Sequence, residues 1–416
     1  MRIRGQQNRE AGEMWYKGRI VPTSVEVPMK NRNVGRSQSK LGRREFIKVG
    51  AGAAAAIGAG AAGAVAMLHG ANAAAQEPAG QASAGQGVPW WAAKPANGKA
   101  GKLEAIDMHS HWSPEPYDKA LADLGQPLAN TYPLDYDLDK RRQWMDEHGD
   151  LMHCLTLSGA MPWSRVTPQQ GAHLAQIIND TGIQVHMKYP DRFVVGIELP
   201  VKDPELALKE LNRVAGQPGV RAVHLPDSVE RHDYIFDKNF APVLARIEQL
   251  QLPIIFHQMD GVPNTFGGDR TVGPPGLAAG IDAPIEHAFL ATKFIYTGTL
   301  DKYPNLNMVL PHAGGAFPYL AGREEHFLFH MTDHSTSIQR PFREYLRRFH
   351  YDYLIYWPEA FRFLMTMVGA DRIVVGTDNF AAKDVQYPSA VMDQFKLPPG
   401  DRERILNGNA KRLMHL

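Results

Sequence analysis

Cysteine is almost absent from this sequence, since Cys154 is the only one among 416 residues. A single thiol excludes an intramolecular disulfide, and it excludes a zinc site built from several cysteines. Cys154 lies in the apolar run Leu151–Leu157, which indicates a small buried side chain. A metal site in this chain would therefore need histidine and carboxylate ligands.

Basic charge is scarce outside the N-terminal segment. Residues 1–48 carry twelve Lys and Arg against four Asp and Glu, and residues 49–75 carry no charged side chain. The remaining residues hold 33 basic and 40 acidic side chains, so their net charge is negative. Because binding to a phosphate backbone needs a basic surface, we expect no nucleic-acid partner and a small-molecule substrate instead.

The N-terminal segment has the pattern of an export signal. The pair Arg43-Arg44, followed after Glu45 by Phe-Ile-Lys, resembles the twin-arginine motif. An uncharged Ala/Gly-rich run, Val49–Leu68, and a small-residue cleavage site, Ala71–Ala75, follow it. The alternative is an uncleaved membrane anchor, because the run is long enough to span a bilayer. Ala and Gly insert poorly, however, so we expect recognition by the twin-arginine translocation machinery and a periplasmic location.

These features divide the chain into three parts. Residues 1–75 are predicted to be the twin-arginine signal peptide with an N-terminal extension, whose true start is either Met1 or Met29. Residues 76–102 are rich in Ala, Gly, Pro and Gln, which predicts a flexible linker. Residues 103–416 are predicted to form one folded domain.

This domain alternates short apolar runs with segments of helical periodicity. One predicted helix is Asp203–Ala215, where Asp203 can cap the first turn and Pro204 suits the first position. Eight such alternations favour an α/β fold of the (β/α)8 TIM-barrel type over a doubly wound sheet. The Gly/Pro-rich segment Gly261–Asp282 predicts a long irregular loop, which is typical of an active-site lid. The predicted strands are Leu103–His111, Leu151–Leu157, Phe193–Leu199, Val220–Leu225, Pro253–His257, Leu306–His312, Phe349–Ile355 and Arg372–Asp378.

Polar side chains stand at the ends of four of these strands. His109 and His111 end strand one, and both imidazoles project together because alternate residues of a strand point to the same face. His257, His312 and Asp378 end strands five, six and eight. Since the C-terminal ends of barrel strands converge on one mouth, we expect these five side chains to form one cluster.

Such a cluster suits one divalent metal ion, with Zn²⁺ as the first choice and Mn²⁺ as the alternative. We predict that His109, His111, His257 and Asp378 are the ligands. We predict that His312 lies beside the ion and serves as the proton donor or acceptor. The alternative interpretation is that His257 and His312 only cap their strands structurally.

Several stretches from about residue 104 to the end resemble the amidohydrolase superfamily. Within it, they are most similar to the amidohydrolase-related branch that includes aminocarboxymuconate-semialdehyde decarboxylase. The resemblance implies the same roles for the five clustered residues. It also implies a homodimer in which Arg323 reaches the neighbouring subunit's site and binds a substrate carboxylate. The matching stretches are Ile106–His111, Leu252–His257, Tyr303–Arg323, Asp371–Asp378 and Asn409–Leu413.

The chain departs from the pattern of that branch at three places. Asn379-Phe380 follows the aspartate of strand eight, Ala313 interrupts a glycine run, and Gln258 follows His257 in place of proline. These changes leave the substrate open. Strand four, Val220–Leu225, contains no lysine that could be carbamylated between two ions, so a mononuclear centre is predicted.

The residues permit two reactions. In a non-oxidative decarboxylation of a small aromatic or unsaturated carboxylate, His312 protonates the carbon that loses CO₂, and Arg323 binds a carboxylate. In hydrolysis of an ester, lactone or amide, Asp378 takes the proton of the attacking water, and His312 steadies the oxyanion. A third interpretation is a periplasmic metal-containing binding protein without catalysis. The acid and base groups beside a metal position favour an enzyme.

Overall fold

Eight parallel strands form one sheet, and each strand pairs with the strand that precedes it in the sequence. The computed structural model describes residues 104–128, 132–149, 151–157, 161–257, 278–331, 338, 340–379 and 388–416. The predicted signal, the linker and most of the Gly261–Asp282 loop lie outside these residues. The strands are β1 (Ala105–Trp112), β2 (Leu151–Leu157), β3 (Phe193–Glu198), β4 (Val220–Pro226), β5 (Ile254–His257), β6 (Met308–Leu310), β7 (Phe349–Asp352) and β8 (Ile373–Val374).

The sheet curls until its last strand meets its first. Asp107 of β1 pairs with Val375, and Ser110 pairs with Asn379, both in parallel orientation. The Met108 amide donates to the Val375 carbonyl at 3.0 Å. The strands therefore form a nearly closed barrel, as predicted, and the seam between β1 and β8 is where His109, His111 and Asp378 meet.

Helices follow most strands and cover the outside of the barrel. Proline stands in the first turn of many of them, where its missing N–H costs no hydrogen bond. The Asp203 side chain accepts hydrogen bonds from the amides of Glu205 and Leu206, as the predicted cap requires. The helices are α1 (Glu115–Asp123), α2 (Pro133–Tyr136), α3 (Leu138–Glu147), α4 (Pro168–Lys188), α5 (Pro204–Val214), α6 (Ala241–Leu250), α7 (Ala283–Tyr296), α8 (Thr299–Lys302), α9 (Phe317–Met331), α10 (Phe342–Leu346), α11 (Pro358–Val368), α12 (Pro388–Phe395), α13 (Pro399–Glu403) and α14 (Asn409–Met414).

The base of the barrel interior is apolar. Inward-facing residues of the strands form a separate buried cluster that includes Cys154, which is fully buried as predicted. Leu413 and Met414 of α14 belong to the same cluster, so the C-terminal helix packs against the base. The strand residues of this cluster are Ile106, Met108, Met152, Cys154, Val194, Ala222, Ile255, Val309 and Val374.

Some predicted boundaries were wrong. Strand eight was predicted over Arg372–Asp378 but contains only Ile373–Val374, because the chain leaves regular pairing before it reaches Asp378. Near the end of the chain, a π-helical turn at Arg404–Gly408 separates α13 from α14. Residues Ala278–Asp282, predicted to be irregular, also form a π-helical turn. Sequence reasoning missed α1 and α9, because glycine or proline at their starts resembles a loop.

None of the helices in the described part of the chain combines the length and the apolar character needed to cross a bilayer.

Candidate metal centre

The five predicted side chains meet at the mouth of the barrel. His111 Nε2 lies 3.2 Å from His109 Nε2 and 3.1 Å from His257 Nε2. Asp378 Oδ1 lies 3.0 Å from His111 Nε2 and 3.3 Å from His109 Nε2. His312 completes the group, with its Nε2 atom 3.7 Å from Asp378 Oδ2. The structure thus brings together residues that are far apart in the sequence.

The hydrogen bonds behind two of these histidines fix their orientation. His109 Nδ1 donates to Asp352 Oδ2 at 2.9 Å, and His111 Nδ1 donates to the Leu157 carbonyl at 3.0 Å. Since each Nδ1 atom carries the proton, each Nε2 atom directs a lone pair at the centre of the cluster. Lone pairs that converge at about 3 Å repel one another unless a positive charge lies between them. Backbone carbonyls and carboxylates behind metal-binding histidines commonly serve this orienting purpose.

Electrostatics at the centre favour positive charge. Burial lowers the pKa of His109, but its hydrogen bonds to Asp352 and Asp378 outweigh burial and raise it to about 10. Burial raises the pKa of Asp378, but the bonds and charge of His109 and its neighbours hold it well below the usual range. Burial lowers the pKa of His111 to about 4. A buried carboxylate beside these imidazoles suits a single divalent cation.

Geometry alone places His312 close enough to be a ligand. The ligand atoms of His109, His257, His312 and Asp378 all lie within 4.8 Å of one another. Exposure separates His312 from the other histidines, since its side chain is 17% exposed and those of His109 and His111 are 2% exposed. His312 therefore stands at the opening of the site, where a substrate can reach it.

Asp352 is a functional residue that sequence reasoning missed. This fully buried carboxylate accepts hydrogen bonds from His109 Nδ1, from the His312 amide at 3.0 Å and from the Ala313 amide at 2.8 Å. His312 and Ala313 both have positive φ, near 51° and 57°, a conformation that side chains other than glycine rarely adopt. Asp352 thus holds a strained turn and a metal-site histidine together. The sequence signal that could have identified Asp352 is a carboxylate inside the apolar run Phe349–Ile355.

The loop before Asp378 requires glycine at position 376. A Cβ atom on Gly376 would lie 2.6 Å from the Asp352 Cβ and 2.8 Å from the His109 Cβ. No side chain fits at those distances without displacing one of the two residues. The close approach of this loop to β1 and β7 is therefore what brings Asp378 to the cluster.

Arg141 supports the C-terminal end of β1 through hydrogen bonds. It is completely buried, and it donates to the His111 carbonyl at 2.6 Å and to Ser110 Oγ at 2.5 Å. Burial lowers the pKa of Arg141 to about 10, against the opposing charges of Asp135 and Asp107. Sequence reasoning missed this contact, because Arg141 lies on α3, whose other charged residues are mostly exposed or half-buried.

Two further buried pairs join a histidine to a carboxylate near the cluster. Glu198 of β3 accepts from His224 Nδ1 of β4 at 2.6 Å, which gives His224 a supporting position in the core. Asp227 accepts from His287 Nδ1 at 2.5 Å, and His287 Nε2 lies 2.9 Å from His312 Nδ1. The second pair escaped sequence reasoning because His287 lies inside α7 with no motif around it.

Within one chain, Arg323 does not join the cluster. It is exposed on α9, and its guanidinium lies 4.5 Å from the centroid of the Phe327 ring. Tyr319, one helical turn earlier, is 79% exposed, and its ring lies 6.1 Å from that of the exposed Phe363. Arg323 therefore stands beside an exposed aromatic surface outside the barrel.

The family described as Amidohydrolase matches residues 106–416 of this chain. Over 257 residues the chain is 28% identical to the 2-amino-3-carboxymuconate-6-semialdehyde decarboxylase of Dictyostelium discoideum, an alignment that covers 61% of this chain and 69% of that protein.

The fold has solved counterparts. The IDCase of Metarhizium anisopliae in its apo form superposes with a TM-score of 0.66 and 22% identity, covering 75% of this chain and 97% of that chain. A dihydroxybenzoic acid decarboxylase from Polaromonas sp. JS666, with bound manganese and the inhibitor 2-nitroresorcinol, superposes with a TM-score of 0.62 and 23% identity. That alignment covers 76% of this chain and 98% of the other. These likenesses confirm the predicted barrel.

Proposed function

Since this chain belongs to the amidohydrolase family, we propose that it is a mononuclear metal-dependent enzyme that removes CO₂ non-oxidatively from a small aromatic or unsaturated carboxylic acid. The observation that carries the proposal is the placement of His312. It is a partly exposed imidazole at the opening of a buried His/Asp cluster, with Nε2 3.7 Å from Asp378 Oδ2. The similar proteins that are decarboxylases of such acids support the substrate class.

We assign His109, His111, His257 and Asp378 as the residues that would hold the ion. Three imidazoles and one carboxylate suit Zn²⁺, and the carboxylate also admits Mn²⁺, the metal bound in the Polaromonas structure. When bound, the divalent ion supplies positive charge that holds and polarises a substrate oxygen. Elemental analysis of the purified protein should give about one equivalent, and two equivalents would contradict the mononuclear proposal.

His312 acts as the general acid in this proposal. Protonated His312 gives the proton on its Nε2 atom to the carbon that carries the carboxylate. The bond from that carbon to the carboxylate then breaks, its electron pair stays with the carbon skeleton, and CO₂ leaves. His312 is neutral after this step and regains a proton from solvent. Positioned proton transfer of this kind typically contributes about 10²–10⁴-fold to the rate.

The His312→Asn variant tests the assignment of acid and ligand. It should keep the metal, because four other groups hold the ion, and it should lose about 10²–10⁴-fold in kcat. Metal content and steady-state kinetics should be measured on the same preparation. Loss of the metal together with the activity would identify His312 as a ligand.

Hydrolysis of an ester, lactone or amide is the alternative, and the proximity of Asp378 to His312 at the opening of the cluster favours it. In that reaction Asp378 takes a proton from water, and His312 steadies the developing oxyanion. Purified metal-loaded protein should be screened against hydroxybenzoic acids and against lactones. Release of CO₂ from an acid supports decarboxylation, and ring opening of a lactone without CO₂ release supports hydrolysis.

We further propose a homodimer in which Arg323 binds the substrate carboxylate in the partner's site. The exposed aromatic rings of Tyr319 and Phe363 beside Arg323 support an interface there. Arg323→Ala should raise KM more than it lowers kcat if the arginine binds the substrate in its ground state.

Mixed dimers test whether Arg323 acts across the interface. A dimer of one Arg323→Ala chain and one His312→Asn chain contains one complete site if Arg323 acts in the partner. The same dimer contains no complete site if Arg323 acts within its own chain. Recovery of activity on co-expression therefore supports the proposal, and no recovery from a verified mixed dimer contradicts it.

For the N-terminal segment we propose export. Residues 1–75 act as a cleaved twin-arginine signal, residues 76–102 as a linker, and the folded domain functions in the periplasm. A reporter fused to residues 1–80 should leave the cytoplasm, and the double variant Arg43→Lys with Arg44→Lys should retain it there. A reporter that stays uncleaved on the membrane would favour the anchor instead.

A further inference from the structure

We propose that Asp227 and His287 form a buried positioning relay that fixes the His312 ring and leaves Nε2 as the atom that meets the substrate. The inference rests on the proposed function only in assigning His312 as the acid. Asp227 and His287 are positioning residues, since they act through His312. They deepen the proposal by explaining how a side chain on a strained turn keeps one orientation.

The relay is a continuous chain of hydrogen bonds. His287 Nδ1 lies 2.5 Å from Asp227 Oδ2, and His287 Nε2 lies 2.9 Å from His312 Nδ1. The rings of His287 and His312 are nearly parallel, at 30°, with centroids 5.1 Å apart. Nδ1 of His312 is therefore occupied by the relay, and only Nε2 is left to face Asp378.

Both supporting residues are held rigidly. Asp227 follows β4, and its amide donates to the carbonyl of His257 at 2.8 Å, which ties it to the neighbouring strand. His287 lies in α7 and is completely buried. If either side chain turned out of the relay, a buried hydrogen bond would be lost in the interior.

Burial shifts the pKa of both supporting residues. Burial raises the pKa of Asp227 well above its usual range, while the nearby charge of His312 lowers it. Burial also lowers the pKa of His287 well below its usual range, so its ring is neutral. A neutral ring can donate a hydrogen bond through Nδ1 and accept one through Nε2.

The other buried pair provides a comparison inside the same molecule. Glu198 and His224 make a similarly short bond of 2.6 Å, but His224 Nε2 has no hydrogen-bond partner among the described residues. Its ring lies 6.0 Å from that of His257 and makes no link to His312. His224→Leu is therefore a matched control for removal of a buried, carboxylate-bound imidazole.

Nuclear magnetic resonance of the zinc-loaded protein with ¹⁵N-labelled histidine can detect the relay without a substrate. We expect a downfield N–H proton shared between His287 and His312 and protected from solvent exchange. It should disappear in His287→Leu and in His312→Asn. It should persist in His224→Leu and in His287→Gln, where the glutamine oxygen can accept from His312 Nδ1. A resonance that persists in His287→Leu overturns the relay.

Kinetics decide whether the relay serves the reaction. On an acid that the wild type decarboxylates, His287→Leu should lower kcat by about 10²-fold, the lower end of the range for positioned proton transfer, with KM and metal content unchanged. His287→Gln should recover most of that loss, and Asp227→Asn should be intermediate because it removes only the charge. A normal kcat in metal-loaded His287→Leu overturns the inference. Wild-type protein that shows the resonance but decarboxylates no acid contradicts the proposed function and leaves the relay supported.

Discussion

The mouth and the base of the barrel are built by the same eight strands from opposite kinds of side chain. At the base, apolar side chains such as Ile106, Cys154 and Ile255 pack against Leu413 of the C-terminal helix. At the mouth, several of the same strands carry histidine or aspartate further along, namely His109 of β1, His224 of β4, His257 of β5 and Asp352 of β7. The barrel strands therefore separate apolar packing at the base from the polar side chains of the candidate site at the mouth.

The two layers affect stability in opposite directions. Burial of apolar surface at the base stabilises the fold by roughly 25 cal/mol for each Å². Burial of polar groups at the mouth is unfavourable unless they are hydrogen-bonded. Among the described residues, His257 Nδ1, His224 Nε2 and Asp227 Oδ1 are buried without a hydrogen-bond partner, and all three lie near the mouth. The mouth therefore depends on the apolar base for its stability.

Removal of a ligand at the mouth should give the largest effect. His111→Ala should weaken metal binding by more than about 100-fold, because loss of a mere supporting partner already costs about 10–100-fold. Activity should disappear with the metal. Elemental analysis and thermal unfolding with and without added Zn²⁺ check this. A variant that keeps one tightly bound equivalent would show that His111 is no ligand.

A cavity at the base should affect stability without touching the chemistry. Leu413→Ala should lower the free energy of unfolding by about 2–5 kcal/mol, as buried leucines typically do. The metal content and the kcat of the folded fraction should stay at wild-type values. Denaturant unfolding provides the measurement. A fall in metal content of the folded variant would mean that the two layers are coupled.

Asp352 supports both the His109 ring and the turn at His312. Its replacement should therefore weaken metal binding and also lower stability, each by less than the two changes above. The His109 ring and the His312 amide both bond to Oδ2, and the Ala313 amide bonds to Oδ1. An asparagine has one acceptor oxygen, so one of these two sets of bonds is lost. Asp352→Asn should weaken metal binding by about 10–100-fold and should also destabilise the fold. Titration with a competing chelator measures the first effect. Unchanged affinity would remove Asp352 from the support of the centre.

The smallest effect is expected from a small change to an apolar residue at the base of a strand whose other end carries a predicted metal ligand. Ile255 is buried two residues before His257 on β5. Ile255→Val should cost about 0.5–1.5 kcal/mol of stability and leave metal affinity unchanged. Because both residues share one short strand, altered metal binding here would be the most sensitive sign that packing at the base sets the geometry of the mouth.

Much of the architecture followed from local patterns. Alternating apolar and helical segments predicted the eight-stranded barrel, and the predicted cap at Asp203 is present in the structure. The positions of His109, His257 and Asp378 at or beyond strand ends predicted that they meet. These predictions succeed because strand periodicity and barrel topology, both readable from the sequence, decide which residues point toward the mouth.

Boundaries were less predictable. Strand eight is shorter than its apolar run, and His312 lies in a turn beyond β6. In both places a buried hydrogen bond to a distant residue replaces regular pairing. Asp352 accepts the His312 amide, and the Asp378 amide donates to the His109 carbonyl at 3.0 Å. Local propensity carries no information on such bonds.

The sequence by itself determined the barrel and which side chains stand at its mouth. Only the tertiary structure decided which groups support them. The bond from His109 to Asp352 spans 243 residues, and the link from Asp227 to His287 spans 60. The physical reason is that a hydrogen bond forms only when its donor and acceptor are placed to within a few tenths of an ångström. Those distances arise from the packing of the whole barrel, and no segment of the chain contains them alone.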